Sequence, residues 1–158
     1  QAPHYQHEKI GYNYRMSNIC AGIGRGQMFV LEEHVARRRE IHDLYVRLLD
    51  GVKGVKVMCQ PEGGDFNSNY WLTCITVEPE VAGFTREDVR LALDADNIES
   101  RPLWKPMHLQ PVFKKNPCYV DGTSENLFNR GLCIPAGPCV TDEDVAYIVA
   151  EIKNCMKK

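Results

Sequence analysis

Apolar residues recur at helical spacing along the longest patterned segment of the chain, which runs from about Ser17 to Asp50. Positions three or four apart share one face of a helix, and here that face comprises Ile19, Ile23, Met28, Leu31, Val35, Ile41, Leu44, Tyr45, Leu48 and Leu49. Gly22, Gly24 and Gly26 interrupt its first part, and each costs ~1 kcal/mol relative to Ala in a helix. We therefore expect a long N-terminal helix whose glycines permit close packing against another helix.

The remainder of the chain alternates short strands with helices. Aromatic and β-branched residues predict a strand over 70–77, and shorter strands are expected at 55–57, 98–103 and 132–134. Pro102 would confine its strand to a sheet edge or a strand end. Helices are predicted after Thr85, which can cap its helix, around 108–113, over 123–129 and after Thr141. This order indicates an α+β domain with a small, mostly antiparallel sheet covered by helices.

Two details of the helices can be predicted further. The final helix begins at Thr141 with Asp144 three residues later, nearly a capping box, and its apolar stripe comprises Val145, Ile148, Val149 and Ile152. The charged face of the long helix carries Arg37, Arg38 and Arg39 among acidic residues, which is typical of a solvated, salt-bridged surface. We expect His34 and His42 on the same helix to be solvated as well.

Composition narrows the class of protein. A chain of 158 residues with 44% hydrophobic and 25% charged residues is typical of one globular domain. Its net charge of −2 gives no basic stripe for a nucleic acid or a membrane surface. No run approaches the ~20 apolar residues of a membrane span, and no apolar segment follows the polar N-terminus to make a signal peptide. Seven scattered cysteines without a C-x-x-C pair favour reduced thiols and a cytoplasmic location over a metal site.

The segment GYNYRMSN, residues 11–18, is the first candidate binding site. It places the amide of Asn13 and the guanidinium of Arg15 just before a helix that Ser17 or Asn18 can cap. A helix N-terminus carries partial positive charge, so these groups could hold an anion. The alternative is an ordinary loop whose tyrosines pack and whose arginine is solvated.

The segment ESRPLWKPMHLQPVF, residues 99–113, is the second candidate. Arg101 can grip a phosphate in a bidentate fork, and the rings of Trp104 and His108 can stack on flat groups. Three prolines stiffen the loop, so it suits a ligand that bears both rings and phosphates. A surface loop with a packed tryptophan is the alternative. No phosphate loop, dinucleotide fingerprint or H-E-x-x-H motif accompanies these residues, and no catalytic set is complete.

These strings, with LEEHVARRREIHDLY and GLCIPAG, closely resemble the C-terminal third of the DegT–DnrJ–StrS family of sugar-nucleotide aminotransferases. The RPLWKPMH form is similar to members that aminate a UDP-linked 4-keto-6-deoxy-N-acetylhexosamine. The resemblance implies the C-terminal small domain of the fold-type I, aspartate-aminotransferase-like fold over 30–158. Residues 1–29 would then be the end of the large domain and cofactor-site segment.

The family uses pyridoxal 5'-phosphate, held by a lysine, to move an amino group from glutamate to a keto-sugar. None of the lysines here lies in that motif, so the resemblance implies that the cofactor lysine lies upstream of Gln1. The chain would then be a fragment, inactive alone and prone to self-association. Two alternatives stay open: a stand-alone ligand-binding or dimerisation module without catalysis, and a fragment of a family dehydratase with histidine in place of that lysine.

The resemblance also implies residue roles. Asn13 matches an asparagine that reaches across the homodimer to the partner's cofactor phosphate, and Arg15 matches its neighbour in that composite active site. Arg101, Trp104 and His108 fall where the family lines its nucleotide-sugar pocket. Glutamate and the nucleotide sugar are the expected small-molecule partners, with no metal, nucleic acid or membrane involved.

Overall fold

Helices and short strands alternate in the computed structural model, which describes residues 4–157. The α-helices are α1 (Asn18–Gln27), α2 (Leu31–Leu49), α3 (Pro79–Ala82), α4 (Arg86–Ala95), α5 (Thr123–Arg130) and α6 (Asp142–Asn154). Single 3-10 turns lie at Met28–Val30, Met107–Leu109, Pro111–Phe113 and Cys155–Lys157. The strands are β1 (Val55–Val57), β2 (Thr73–Val77), β3 (Arg101–Pro102) and β4 (Gly131–Ile134).

The four strands form one antiparallel sheet in the order β1-β2-β4-β3. Its central pair aligns Cys74 with Cys133, and β3 lies at an edge with Pro102 opposite Leu132. The edge position suits proline, which cannot donate a ladder hydrogen bond. The α+β class and the antiparallel sheet expected from the sequence are therefore confirmed.

The core lies between one face of the sheet and helices α2, α4 and α6. Alternation along β2 turns Ile75 and Val77 to this face, where they join Ile41, Tyr45, Val89, Leu93, Leu132, Ile134, Val145, Ile148, Val149 and Ile152. The stripe predicted for α6 is thus buried, as expected. Helix α5 contacts β2 and β4.

Glycine is required where α5 runs directly into β4 at Gly131. A Cβ there would lie 2.1 Å from Cδ1 of Leu103 and 2.6 Å from the carbonyl oxygen of Leu127. The missing side chain therefore lets the β3 connection pass against the helix end. This junction holds the loop that follows β3 close to the central strand β4.

Both predicted threonine caps are present. Thr85 and Thr141 each accept a hydrogen bond from the backbone N–H three residues on, and Asp88 and Asp144 bond back to the cap residue. These reciprocal bonds satisfy donors that a helix start otherwise leaves unpaired. Ser17 caps α1 by accepting from Cys20 N–H at 3.2 Å, which resolves the choice between Ser17 and Asn18.

The long N-terminal helix is present as α1 and α2 joined by the turn at Met28–Val30. Helix α1 has no buried residue, and Ile19 and Phe29 are 76% and 86% exposed. Within residues 4–157, nothing lies within 4 Å of a Cβ built on Gly22, Gly24 or Gly26. The described chain thus leaves these glycines and this apolar face without a packing partner.

Two expectations about α2 are wrong. His42 is 2% exposed rather than solvated, and His34 is half-buried. Arg38 and Arg39 turn inward, where their guanidinium groups donate to backbone carbonyls of distant loops. Carbonyl oxygens at the loop ends need donors, and long arginine side chains can reach them while covering apolar surface. A charge count along the helix cannot reveal this use.

None of the helices formed by the described residues is long and apolar enough to cross a membrane. The same part of the chain brings together no group of three or more His, Cys, Asp or Glu side chains able to hold a metal ion.

Candidate functional site

A cleft of about 330 Å³ opens at the edge of the sheet where β3 begins and β4 ends. Its walls are formed by residues 99–102 and 133–137, together with Tyr5, Arg38, Trp71, Leu72 and Trp104. The cleft therefore draws on the N-terminal segment, helix α2, the loop before β2, the edge strand β3 and the strand β4 paired with it. It carries two guanidinium groups, those of Arg38 and Arg101, against the carboxylate of Glu99.

Arg101 lies on the edge strand, paired with Cys133, and its side chain is about half exposed. Its Nε donates to Glu99 Oε1 at 2.7 Å, and its Nη1 donates to the phenol oxygen of Tyr5. The guanidinium carbon lies 5.6 Å from the Tyr5 ring centroid. The bond to Glu99, followed by its negative charge, raises the pKa of Arg101. The group is thus a fixed cation facing the cleft.

Three aromatic rings form one side of the cleft. Trp104 stacks on Tyr5 with centroids 6.4 Å apart and planes 17° apart, and it meets Trp71 at 6.3 Å and 44°. All three are about half exposed or more. Asn69 fixes the approach to Trp71 by accepting its backbone N–H at 3.0 Å. Exposed ring faces beside a guanidinium can accept a flat, electron-rich group.

Arg38 ties two walls of the cleft together. Its Nη1 donates to the carbonyl oxygens of Trp71 at 2.6 Å and of Ala136 at 3.1 Å. One rigid planar donor thereby fixes the loop before β2 relative to the loop after β4. Its role in the site is to hold the walls in place, with its charge directed at backbone oxygens.

The N-terminal segment is fastened to the 99–113 loop by Gln110. The buried Gln110 side chain accepts from His7 N–H at 2.8 Å and donates to the carbonyls of Tyr5 at 3.0 Å and Lys105 at 3.2 Å. Val112 N–H adds a bond to the His7 carbonyl at 3.1 Å. These bonds hold Tyr5 against Arg101 and Trp104.

The floor of the cleft contains two further polar groups. The Ser100 hydroxyl is buried and has no hydrogen-bond partner among the residues described. Cys133 lies opposite Cys74, with the two Sγ atoms 3.7 Å apart. The hydrogen bond between the two thiols lowers the pKa of Cys74. Both cysteines are free thiols, as the sequence predicts.

The five residues expected in the site are only partly brought together. Arg101 and Trp104 line the cleft. The mostly buried His108 side chain is directed at Glu125, with Nε2 3.8 Å from Oε2. Asn13 and Arg15 are exposed in the segment before α1, and Arg15 has a left-handed backbone with φ +74°. Within residues 4–157 neither of these two side chains has a hydrogen bond or ion pair.

Sequence reasoning missed four contributors to the cleft: Tyr5, Arg38, Trp71 and Gln110. Tyr5 and Gln110 belong to separate motifs whose contact only the fold reveals. Trp71 was placed inside a strand, but β2 begins at Thr73 and leaves the ring in the preceding loop. The available signal was the Asn-Ser-Asn run at residues 67–69, which favours a loop just ahead of the tryptophan.

The arrangement can bind and orient a ligand. Half-exposed rings, a fixed guanidinium and an unpaired hydroxyl together match a compound with a flat ring and an anionic group. The cleft offers no nucleophile with an adjacent base, so the described residues do not complete a catalytic set.

Comparisons with known proteins agree on one group. A model of the DegT/DnrJ/EryC1/StrS aminotransferase family matches residues 1–153. EpsN of Bacillus subtilis, provisionally named a pyridoxal phosphate-dependent aminotransferase, is 41% identical over 152 residues, which cover 94% of this chain and 38% of EpsN. GDP-perosamine synthase of Escherichia coli O157:H7 is 34% identical over 154 residues, covering 95% of this chain and 39% of the relative.

The fold is also found in solved structures. The crystal structure of DesI in the presence of its TDP-sugar product superposes with a TM-score of 0.79 at 22% identity, covering 90% of this chain and 36% of DesI. This likeness shows the fold, which is that of fold-type I aminotransferases. The chain spans about two fifths of the length of the curated relatives it matches.

Proposed function

This chain belongs to the DegT/DnrJ/EryC1/StrS aminotransferase family, and we propose that it is the C-terminal part of a pyridoxal-phosphate-dependent sugar-nucleotide aminotransferase. The complete enzyme would transfer an amino group from glutamate to a nucleotide-linked 4-keto-6-deoxy sugar, in the cytoplasm, for surface polysaccharide or glycan synthesis. Residues 30–158 would form its small domain, and residues 1–29 would end its large domain and cofactor-site segment.

The observation that carries this proposal is the cleft built around Arg101 and Trp104. A nucleotide sugar combines a flat base, a diphosphate and a sugar, and the cleft offers stacked rings beside a fixed cation. Aromatic faces contribute by stacking, and guanidinium groups bind phosphate oxygens through parallel N–H bonds. His108 would contribute indirectly, by holding the 99–113 loop against α5, since its Nε2 lies 3.8 Å from Glu125 Oε2.

Relatives support the class of substrate. One is named for a GDP-linked amino sugar, perosamine, and a structural neighbour was crystallised with a TDP-sugar product. For this chain we propose a UDP-linked 4-keto-6-deoxy-N-acetylhexosamine, because of the RPLWKPMH loop. The residues that would contact it directly are Arg101 and Trp104.

The segment before α1 would hold the cofactor phosphate. Asn13 and Arg15 present an amide and a guanidinium, and residues 11–18 contain no carboxylate that would repel an anion. Both side chains are exposed, and Ser17 starts α1 just beyond them. This donor set fits a phosphate group. When bound, pyridoxal phosphate supplies the electron sink for amino-group transfer.

We further propose a homodimer in which Asn13 and Arg15 serve the partner subunit's cofactor. Support comes from the exposed apolar side chains Ile19, Ile23, Met28 and Phe29 on and just after α1. A contiguous apolar surface of this kind marks a contact region. The uncovered glycines of α1 would let another helix approach closely there.

The test is to determine the coding sequence upstream of Gln1 and to assay the complete protein. A lysine in a small-residue motif, with glutamate-dependent conversion of the UDP-4-keto sugar into its amino product and 2-oxoglutarate, is the expected result. Arg101→Ala should reduce this turnover, while Arg47→Ala, an exposed arginine of α2, serves as its control.

Other outcomes would replace the proposal. A histidine at that position would indicate a dehydratase, and a start codon directly before Gln1 would indicate a non-catalytic binding module. Transamination by the 158-residue chain alone would contradict the assignment of the cofactor lysine to a segment outside it.

A further inference from the structure

We propose that Tyr5 is a further ligand-contacting residue of this cleft, and that Gln110 is the residue that positions it. The phenol of Tyr5 would donate its proton to the same anionic group of the ligand that Arg101 binds. The proposal rests on the proposed function, because it assumes a nucleoside diphosphate as the ligand.

The hydrogen bonds of Tyr5 leave its proton available. Arg101 Nη1 donates to the phenol oxygen, and a guanidinium has donors only, so the tyrosine must be the acceptor in this pair. The phenol O–H therefore has no role in that bond and can be directed toward the cleft. A donor polarised by a neighbouring cation suits a phosphate oxygen.

The Tyr5 ring is held in a defined place and yet is open on one side. It stacks on Trp104 at 6.4 Å, the guanidinium carbon of Arg101 lies 5.6 Å from its ring centroid, and 49% of the residue remains exposed. A residue placed only to fill space would be buried on both faces. The phenol oxygen contacts Arg101, which also lines the cleft, while the ring contributes to the wall.

Gln110 is unusual because it is a polar side chain that is 2% exposed and makes bonds to three backbone groups. Two of those groups belong to the N-terminal segment, at Tyr5 and His7. The third, the Lys105 carbonyl, belongs to the loop that presents Trp104. The amide thus fixes the tyrosine relative to the tryptophan, and burial makes these bonds costly to break.

The experiment measures binding of uridine diphosphate to the purified complete enzyme by calorimetry. Tyr5→Phe keeps the ring and its stacking but removes the O–H donor, so the dissociation constant should rise roughly tenfold, as for the loss of one hydrogen bond to a charged group. Tyr147→Phe is the matched control. Tyr147 is 52% exposed, and its phenol donates to Asp96 at 3.2 Å outside the cleft.

A double-mutant cycle tests Gln110. Gln110→Ala should weaken binding in the wild-type background and do so much less in the Tyr5→Phe background, because the amide acts through Tyr5. If Gln110→Ala does not fold, Gln110→Glu takes its place. The glutamate keeps the acceptor for His7 N–H and loses the donor to the Tyr5 carbonyl.

The outcomes separate the two proposals. Wild-type binding with an unchanged dissociation constant in Tyr5→Phe would overturn the role of Tyr5 and leave the nucleotide site standing. Additive effects of the Gln110 and Tyr5 substitutions would overturn the positioning role. No binding of uridine diphosphate by the wild type would overturn the proposed nucleotide site itself, and the role of Tyr5 with it.

Discussion

His42 and Tyr70 stack face to face, with ring centroids 3.6 Å apart and planes 15° apart. His42 is buried on α2, and its Nε2 lies 3.2 Å from the Met58 carbonyl oxygen. Tyr70 has a left-handed backbone, with φ +43°. A bulky residue in that region is uncommon, and the stacked imidazole holds it together with hydrogen bonds from Tyr70 N–H to Ser68 Oγ and from Gln60 N–H to the phenol oxygen. The loop that leads into Trp71 is thereby fastened to the helix.

We expect His42→Ala to lower the free energy of unfolding by about 2–4 kcal/mol, because it removes a buried ring and leaves the Met58 carbonyl without its partner. Chemical denaturation measures this change. His34→Ala, two turns earlier on the same helix and half-buried, is the matched control and should cost less. Equal decreases in the free energy of unfolding in the two variants would contradict a stabilising role for the His42–Tyr70 stack.

Gly131→Ala should destabilise the protein by about 1–3 kcal/mol, which is the usual cost of forcing an atom into a packed site. The added Cβ would meet the Leu127 carbonyl oxygen at 2.6 Å, and a backbone atom in a helix end cannot move aside easily. Thermal unfolding of the variant checks this. Gly137→Ala is the control, since a Cβ there would make only an ordinary van der Waals contact, 3.6 Å from Cys139 Sγ. Its melting temperature should therefore stay close to that of the wild type.

The cap of α6 should make stability depend on acid pH. Asp144 accepts from Thr141 N–H at 2.9 Å, and this bond lowers the pKa of its carboxyl. A carboxyl with a lower pKa in the folded state stabilises the fold above its unfolded pKa of about 4, and the contribution disappears as the pH falls through the folded value. We therefore expect Asp144→Asn to melt below the wild type at pH 7, with the two melting temperatures converging below about pH 4.

The control for this prediction is Glu143→Gln, which removes a carboxylate from the same helix turn outside the capping box. It separates the capping bonds from the general preference of a helix N-terminus for negative charge. A melting-temperature difference for Asp144→Asn that stays constant from pH 7 to acid conditions would contradict the assignment.

Asn13→Ala should weaken cofactor retention in the complete enzyme, because the variant loses an amide donor proposed to bind the phosphate. Dialysis followed by the absorbance of retained pyridoxal phosphate measures this. The matched control is Asn67→Ala, since Asn67 lies in a distant loop where its amide oxygen accepts from Arg39. Unchanged retention in Asn13→Ala would count against this role for the GYNYR segment.

Elements with strong local signals could be predicted from the sequence. The stripe of α6, the caps at Thr85 and Thr141 and the edge position of Pro102 each depend on neighbouring residues or on one backbone property. Strand ends were less well placed, since Tyr70 and Trp71 favour strands by residue type but lie in a loop. Their backbone is set by contacts with α2, which no local window contains.

The cleft was predictable only in part, because some of its residues are neighbours in the sequence and others are not. Arg101 and Trp104 share one loop, so their proximity follows from the sequence. Tyr5 reaches them from 96 residues away through its bond with Arg101. Arg38 and Arg39 of α2 were expected to face solvent, since a charge pattern carries no information about distant carbonyl oxygens. Their partners appear only when the fold brings the loops to the helix.

The hydrogen bonds of Gln110 also influence the order in which parts of the chain can fold. They join positions 103 and 105 residues apart, whereas the helices and the turn between α2 and β1 depend on near neighbours. Closing a loop of that length costs entropy before any contact repays it, and such contacts slow folding relative to local ones. The helices can therefore form early. The aromatic wall of the cleft is completed only when Gln110 bonds to Tyr5 and His7. During synthesis, residues 5–7 must wait until residue 110 has been made before they reach their final place.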